Sequence, residues 1–293
     1  MSTKKSNVTK IENGDNPYAK KKLLAWISRI ITVIVSLSVV YPLIFILLVS
    51  FKNNNEFYSD IWGLPKIWRW ANYSYAWING SIGSYALNSI IVTIFAVVVS
   101  VILAAFAGYS LSKMHIPKAE LIIAVLMCFN FIPGVAIYIA LYTQMISMHL
   151  NKTLWMLIFP YMAWQIPFGI YIFKKFFDSI PSELLEAARV DGSGEMRIFL
   201  RVILPIVRPA IATVVVFNFI NIWGEYMWAS IASSSSRAIQ TLPVGLLYFR
   251  GEYGIEWGPF AAAITIIVIP LMILFIYLQK YFIQGLTSGA MKG

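Results

Sequence analysis

Six stretches of this chain are long and apolar enough to cross a lipid bilayer, and no other feature of the sequence constrains its fold as strongly. A helix needs about 20 largely apolar residues to traverse a hydrocarbon layer ~30 Å thick. Windows at 27–50, 85–110, 120–142, 154–173, 207–229 and 259–282 meet that requirement. Ile31 to Ser50 alone holds 14 Ile, Leu, Val or Phe side chains. At the usual value per residue these favour insertion by roughly 4–8 kcal/mol as an upper bound. Composition agrees: 59% of the 293 residues are hydrophobic and 12% charged, where soluble domains carry about a quarter charged residues. The expected fold is an all-α integral membrane protein with six transmembrane helices over residues 27–284. A polar segment, 1–26, precedes them and a short tail, 285–293, follows. The first apolar stretch is too long for a signal-peptide core and lacks a small-residue cleavage site, so it is expected to be an uncleaved first span.

The basic residues set the expected orientation. Of the 23 Lys and Arg, 17 fall in the N-terminal segment, in the connections between spans two and three and between spans four and five, and at the C-terminus. Loops rich in Lys and Arg stay inside, so both termini are expected in the cytoplasm. The net charge of +10 is thus spread over loop clusters instead of forming the stripe that nucleic-acid binding requires. The single cysteine, Cys128, lies in an apolar window, which excludes a disulfide framework within the chain. Trp62, Trp68, Trp70, Tyr73, Tyr75 and Trp77 crowd the first outer connection. They suit either an interfacial aromatic belt or a docking surface for an extracytoplasmic partner.

The connection between spans four and five, about residues 178–206, is of another kind. Pro181, Ser182 and Glu183 favour helix initiation, and Gly192 can end the helix by taking a positive φ. Leu184, Ala187 and Ala188 recur at i, i+3 and i+4 as a small apolar face, while Glu183, Glu186 and Arg189 keep the rest solvated. After the glycine, Phe199 and Ile203 form a second apolar pair, and Pro205 and Pro209 close the element. The pattern suits a helix laid into a partner's groove.

The run Glu186-Ala187-Ala188, three residues, Gly192, nine residues, then Val202-Ile203-Leu204-Pro205 resembles the EAA loop of binding-protein-dependent ABC importer permeases. Val202 stands where Ile is usual. Leu87-Asn88-Ser89, the run from Ala107 to Ser112, and Gly285-Leu286-Thr287-Ser288-Gly289 resemble the MalG-like carbohydrate permeases of that family. The resemblance implies that the loop is a coupling-helix segment docking on a cytoplasmic ATPase. Glu186, Ala187, Ala188, Asp191, Gly192, Leu204 and Pro205 would be the coupling residues. It also implies a second permease subunit forming a heterodimer, two copies of an ATPase subunit that bind ATP and Mg, and an extracytoplasmic solute-binding protein. The setting would be a bacterial inner membrane. No cofactor is expected in this chain.

Other classes find less support. No phosphate loop of the form Gly-x-x-x-x-Gly-Lys-Ser/Thr occurs, so the chain is expected to be non-catalytic and to draw energy from another subunit. The alternative, an ion-coupled secondary transporter of a small polar solute, would require ionisable residues at span centres. Only Glu225, near an outer end, comes close. His115 and His149 fall on opposite sides of the expected membrane and cannot share an enzyme site. For the solute, Asn218, Asn221 and Glu225 recur at i, i+3 and i+7, while Tyr161 and Gln165 pair at i, i+4 beside Trp164. Amides, a carboxylate and aromatic rings suit a sugar. The same groups could equally hydrogen-bond one helix to another.

Overall fold

A computed structural model describes residues 17–251 and 254–290. Residues 1–16 and 291–293 lie outside it, as do the side chains of the 285–289 motif. The helices in chain order are α1 (Pro17–Val49), α2 (Asn54–Ser59), α3 (Ala71–Ile78), α4 (Ile82–Lys113), α5 (Ala119–Cys128), α6 (Gly134–Ser147) and α7 (Trp155–Asp178). They continue with α8 (Ser182–Val190), α9 (Glu195–Ile198), α10 (Leu204–Ile206), α11 (Arg208–Trp223), α12 (Met227–Ala232), α13 (Leu242–Gly245) and α14 (Trp257–Ala290). A two-stranded antiparallel hairpin, Arg250–Gly251 with Gly254–Ile255, precedes the last helix.

Four helices, α1, α4, α7 and α14, are each long and apolar enough to cross a membrane. The third and fifth windows differ from expectation. The third is not one rod: α5 and α6 meet at 94°, because the run Phe129 to Gly134 turns through a short 3-10 stretch into Pro133, whose ring prevents the helix from continuing. The fifth is shorter than expected at its outer end, since α11 stops at Trp223. Its inner end meets the segment starting at Glu195 at 79°. If each bent pair is one span, the total is six.

The fourth window behaves in the opposite way. Pro160 and Pro167 lie within it, yet α7 runs unbroken through both. Pro160 lacks the N–H that would have bonded to the carbonyl of Met156 four residues back. Trp228 Nε1 donates to that oxygen instead, at 3.2 Å, so a side chain from α12 replaces the missing backbone donor.

The centre of the molecule is the pair α4 and α7. Small residues let the two backbones approach: Ala104, Ala105 and Gly108 on α4 are buried, as is Gly169 on α7. A Cβ at Gly108 would stand 2.8 Å from the Phe173 Cβ, and one at Gly169 would stand 2.7 Å from the Ala104 Cβ. Van der Waals packing of small residues drives helix association in lipid, where apolar side chains gain little by leaving solvent. The Leu87-Asn88-Ser89 run also finds its reason here. Asn88 Nδ2 donates to the carbonyls of Ala238 and Gln240, and Ser89 Oγ accepts from the Leu242 amide. These bonds fasten the outer connection to α4. His115 and His149 each take positive φ at the turn after a helix, and no group of three or more metal-ligating side chains forms among the described residues.

The close approach gives a direct test. Gly108→Leu is expected to cost roughly 1–3 kcal/mol through overpacking, read as a lowered midpoint of denaturant unfolding in detergent. Gly194→Ala, where no heavy atom lies within 4 Å of the added carbon, is expected to leave that midpoint unchanged.

Candidate functional site: a braced loop and a polar cavity

The segment from Ile180 to Val207 folds as a unit on the end of α4 and α7. Pro181 precedes α8 and Glu183 sits in its first turn, where a carboxylate favours the positive helix end. At the other end Gly192 takes φ +78. Its N–H donates to the Arg189 carbonyl and the Ser193 N–H donates to the Ala188 carbonyl, at 2.9 and 3.0 Å. Left-handed backbone at this position closes the helix and turns the chain into α9. Beyond it, a π-helical turn over Phe199–Ile203 leads into α10.

Packing divides the segment into an inner and an outer face. Leu185, Ile198, Phe199, Ile203 and Val207 are buried in one cluster with Ala104, Ala105, Phe173 and Phe177 of α4 and α7. The Phe199 ring stacks on Phe106 at 4.8 Å and meets Tyr109 edge-on at 5.2 Å. Polar contacts add a brace. The Tyr109 hydroxyl donates to Glu195 Oε2 at 2.9 Å, and Arg189 Nε donates to Glu195 Oε1 at 2.7 Å. That pairing with Glu195 holds the Arg189 guanidinium above its ordinary value. Lys113 Nζ donates to the Ile180 carbonyl at 2.7 Å.

The small apolar face of α8 is left largely open, and Leu185, given no role by the periodicity, is the residue that packs inward. Leu185 faces the core and Ala188 is half-buried against it, whereas Leu184 and Ala187 point outward with Glu186 and Asp191. Val190 is 88% exposed and Met196 57%. Of the remaining coupling residues, Leu204 is half-buried and Pro205 exposed. Tyr109 and Glu195 were missed. Their only sequence signal was a lone tyrosine and a lone glutamate 86 positions apart, which nothing local relates.

The second feature is a cavity of about 450 Å³ walled by the α5–α6 bend, α6, α7 and the end of α11. Tyr161, Trp164, Gln165, Asn221 and Glu225 all line it. The Tyr161 hydroxyl donates to Glu225 Oε2 at 2.6 Å, and Asn221 Nδ2 faces Gln165 Oε1 at 3.4 Å. Trp164 stands within aromatic contact of Tyr138, Tyr161 and Trp228. Two corrections follow. Glu225 is not on the α11 helix; it lies past Gly224, and its carboxylate accepts from the Trp228 and Ala229 amides, capping α12. Asn218 does not reach the cavity. It is fully buried and donates to Ser100 Oγ at 3.0 Å, joining α11 to α4. Asn130 and Tyr138, unnamed in the sequence reading, complete the wall. The signal for Asn130 was the Asn-Phe-Ile-Pro-Gly run inside an otherwise apolar window.

With both features placed, comparison with known proteins is informative. A family model described as binding-protein-dependent transport system inner membrane component matches residues 100–288. The chain belongs to this family. The match takes in the braced segment and the cavity-lining part of α5 to α11. A probable ABC transporter permease protein, YurM of Bacillus subtilis, is 36% identical over 88% of this chain and 85% of its own length. The melibiose/raffinose/stachyose import permease protein MelC of the same organism is 33% identical over 90% of this chain and 97% of its own. Among solved structures, a bacterial ABC transporter involved in import of the acidic polysaccharide alginate superposes with a TM-score of 0.72 at 24% identity. That superposition covers 90% of this chain and 98% of the other, and it shows a shared permease fold.

The division of α8 into two faces is testable. Leu185→Ala is expected to cost about 2–5 kcal/mol, as for other buried leucines. Leu184→Ala is expected to stay within about 0.5 kcal/mol, as at a surface position. Denaturant unfolding of the two purified variants compares them directly.

Proposed function

We propose that this chain is the membrane-spanning permease subunit of an ATP-binding-cassette importer and forms half of a pathway for a sugar or oligosaccharide. Each bent pair counts as one span in this reading, giving six, with both termini in the cytoplasm of a bacterial inner membrane. The observation that carries it is the braced segment. Its inner face is locked into the α4 and α7 core, while its outer face presents Leu184, Ala187, Val190 and Met196 among charges. Such a surface can receive load from a partner and pass it to the helices beneath. The partner is a separate ATPase, present in two copies, which binds ATP and Mg. Glu186, Ala187, Ala188, Asp191 and Gly192 make the docking contact, with Leu204 and Pro205 at its far end.

A second permease subunit belongs to this reading through the family; α1, whose apolar window is exposed throughout and which packs against α14, suits contact with lipid equally well. The cavity is open at one side and offers amides, a hydroxyl and a tryptophan face, which match the hydroxyls and apolar faces of a pyranose. Tyr161, Trp164, Gln165, Asn221 and Glu225 belong to the solute pathway in this reading, and Asn218 supports it from behind. An extracytoplasmic binding protein delivers the solute. The relatives named for oligosaccharide import point to the same substrate class.

The test is uptake of radiolabelled raffinose and other oligosaccharides into vesicles holding the assembled transporter. Uptake is expected to need ATP and to ignore a protonophore. Gly192→Pro, which forbids the positive φ, and Glu186→Lys are each expected to reduce uptake to the level without ATP, at an unchanged amount of permease in the membrane. Full ATP-driven uptake by both variants would remove the docking assignment. Collapse with a protonophore would point instead to an ion-coupled carrier.

A further inference from the structure

A buried lysine sits where three helices converge behind the docking segment. The Lys174 side chain is only 7% exposed, yet its ammonium bridges two carboxylates: Glu120 Oε1 at 2.6 Å and Asp178 Oδ2 at 2.8 Å. Ser112 Oγ of α4 donates to the other Asp178 oxygen at 2.6 Å. Lys113, next in the chain, donates to the Ile180 carbonyl at the root of the docking segment. The cluster therefore joins α4, α5, α7 and the entry to α8. A charge buried beside a membrane domain is retained only where it is paired and serves a purpose, and neither the docking face nor the cavity uses this one.

The purpose is suggested by α5. That helix buries Ile123 and packs Leu126 and Met127 partly against the same cluster, while most of its other side chains are exposed. Its far end runs into the Phe129–Pro133 bend, where Phe129, Asn130 and Ile132 wall the cavity. Glu120 lies at its first turn. Moving the Glu120 end of a short helix swings the bend at the other end. A rigid tether there sets the position of one cavity wall.

We propose that Lys174 is a positioning residue of the transport cycle. Through Glu120 it fixes α5 to α7, so that displacement of the docking segment reaches the cavity wall at Phe129 and Asn130. This rests on the docking assignment made above. The lysine touches no solute and acts only through the helices it joins. Removing Lys174 takes the shared cation from Asp178 and from the 73% exposed Glu120, whereas removing Glu120 leaves Lys174 paired with Asp178 alone and α5 untied. Arginine can replace lysine in bridging two carboxylates.

The test uses spin labels at Leu121→Cys on α5 and Thr153→Cys at the foot of α7, in a Cys128→Ser background, with the complete transporter in nanodiscs. The inter-label distance distribution is measured without nucleotide and after trapping with ATP and vanadate. With Lys174, and with Lys174→Arg, the distribution is expected to be narrow in both states and to shift between them as a whole. In Lys174→Met and in Glu120→Gln it is expected to broaden about twofold or more and to lose the nucleotide-dependent shift. Unchanged narrow distributions in the single variants would overturn the tether itself. A tether-dependent width with no nucleotide shift even in the native pair would overturn transmission. In that case cross-links from Leu184→Cys to the ATPase decide separately whether docking occurs at all.

Discussion

Hydrocarbon offers a backbone no hydrogen-bond partners, and each unsatisfied N–H or C=O there costs several kcal/mol. Every departure from regular helix in this chain must therefore be covered by protein or open to water. The departures include the α5–α6 bend, the prolines inside α1, α7 and α14, the kink at Val207 and the stop at Gly224. At Pro160 the orphaned carbonyl takes the Trp228 indole N–H. After Gly224 the Glu225 carboxylate takes the two amides that begin α12. The α5–α6 bend opens onto the cavity. Two of these departures, the α5–α6 bend and the stop at Gly224, thus border the same hollow.

The same constraint explains why α4 and α7 can serve two surfaces at once. Glycine and alanine at their interface permit an approach too close for larger side chains, giving a pair that moves as one body. At one end this body holds the braced segment, through Phe199, Ile203 and the Tyr109–Glu195–Arg189 contacts. Further along it supplies Tyr161, Trp164 and Gln165 to the cavity. No separate device is required to relate the two surfaces, because a single packed pair lies under both. The elements that must be positioned independently are those packed lightly onto it, and α5 is the clearest case.

Much of this was legible in the residues. The apolar windows located the spanning segments because lipid demands length and apolarity in a single run. Gly192 identified the helix end because few other residues tolerate φ of +78. The failures have a common physical origin. Periodicity marks a face on a helix but cannot say what else the rest of the chain covers, so Leu185, buried against α4 and α7, went unassigned. It also presumes that the helix continues, so Glu225 was placed in register with Asn221 although α11 had already ended. Asn218 met the criterion for a lining residue and was taken by Ser100, a partner 118 positions away. Lys174 gave no warning, since a lysine at the end of an apolar run ordinarily reaches for water.

Glu225 shows how far a polar residue's role depends on its neighbours. A carboxylate in an apolar span would suggest a proton site, the mark of an ion-coupled carrier. Here both oxygens are engaged, one by the Trp228 amide and the other by the Tyr161 hydroxyl and the Ala229 amide. The carboxylate thereby anchors the outer connection to α7 from within the cavity wall, a structural use of both oxygens that follows from the stop at Gly224 and not from its place in the apolar window.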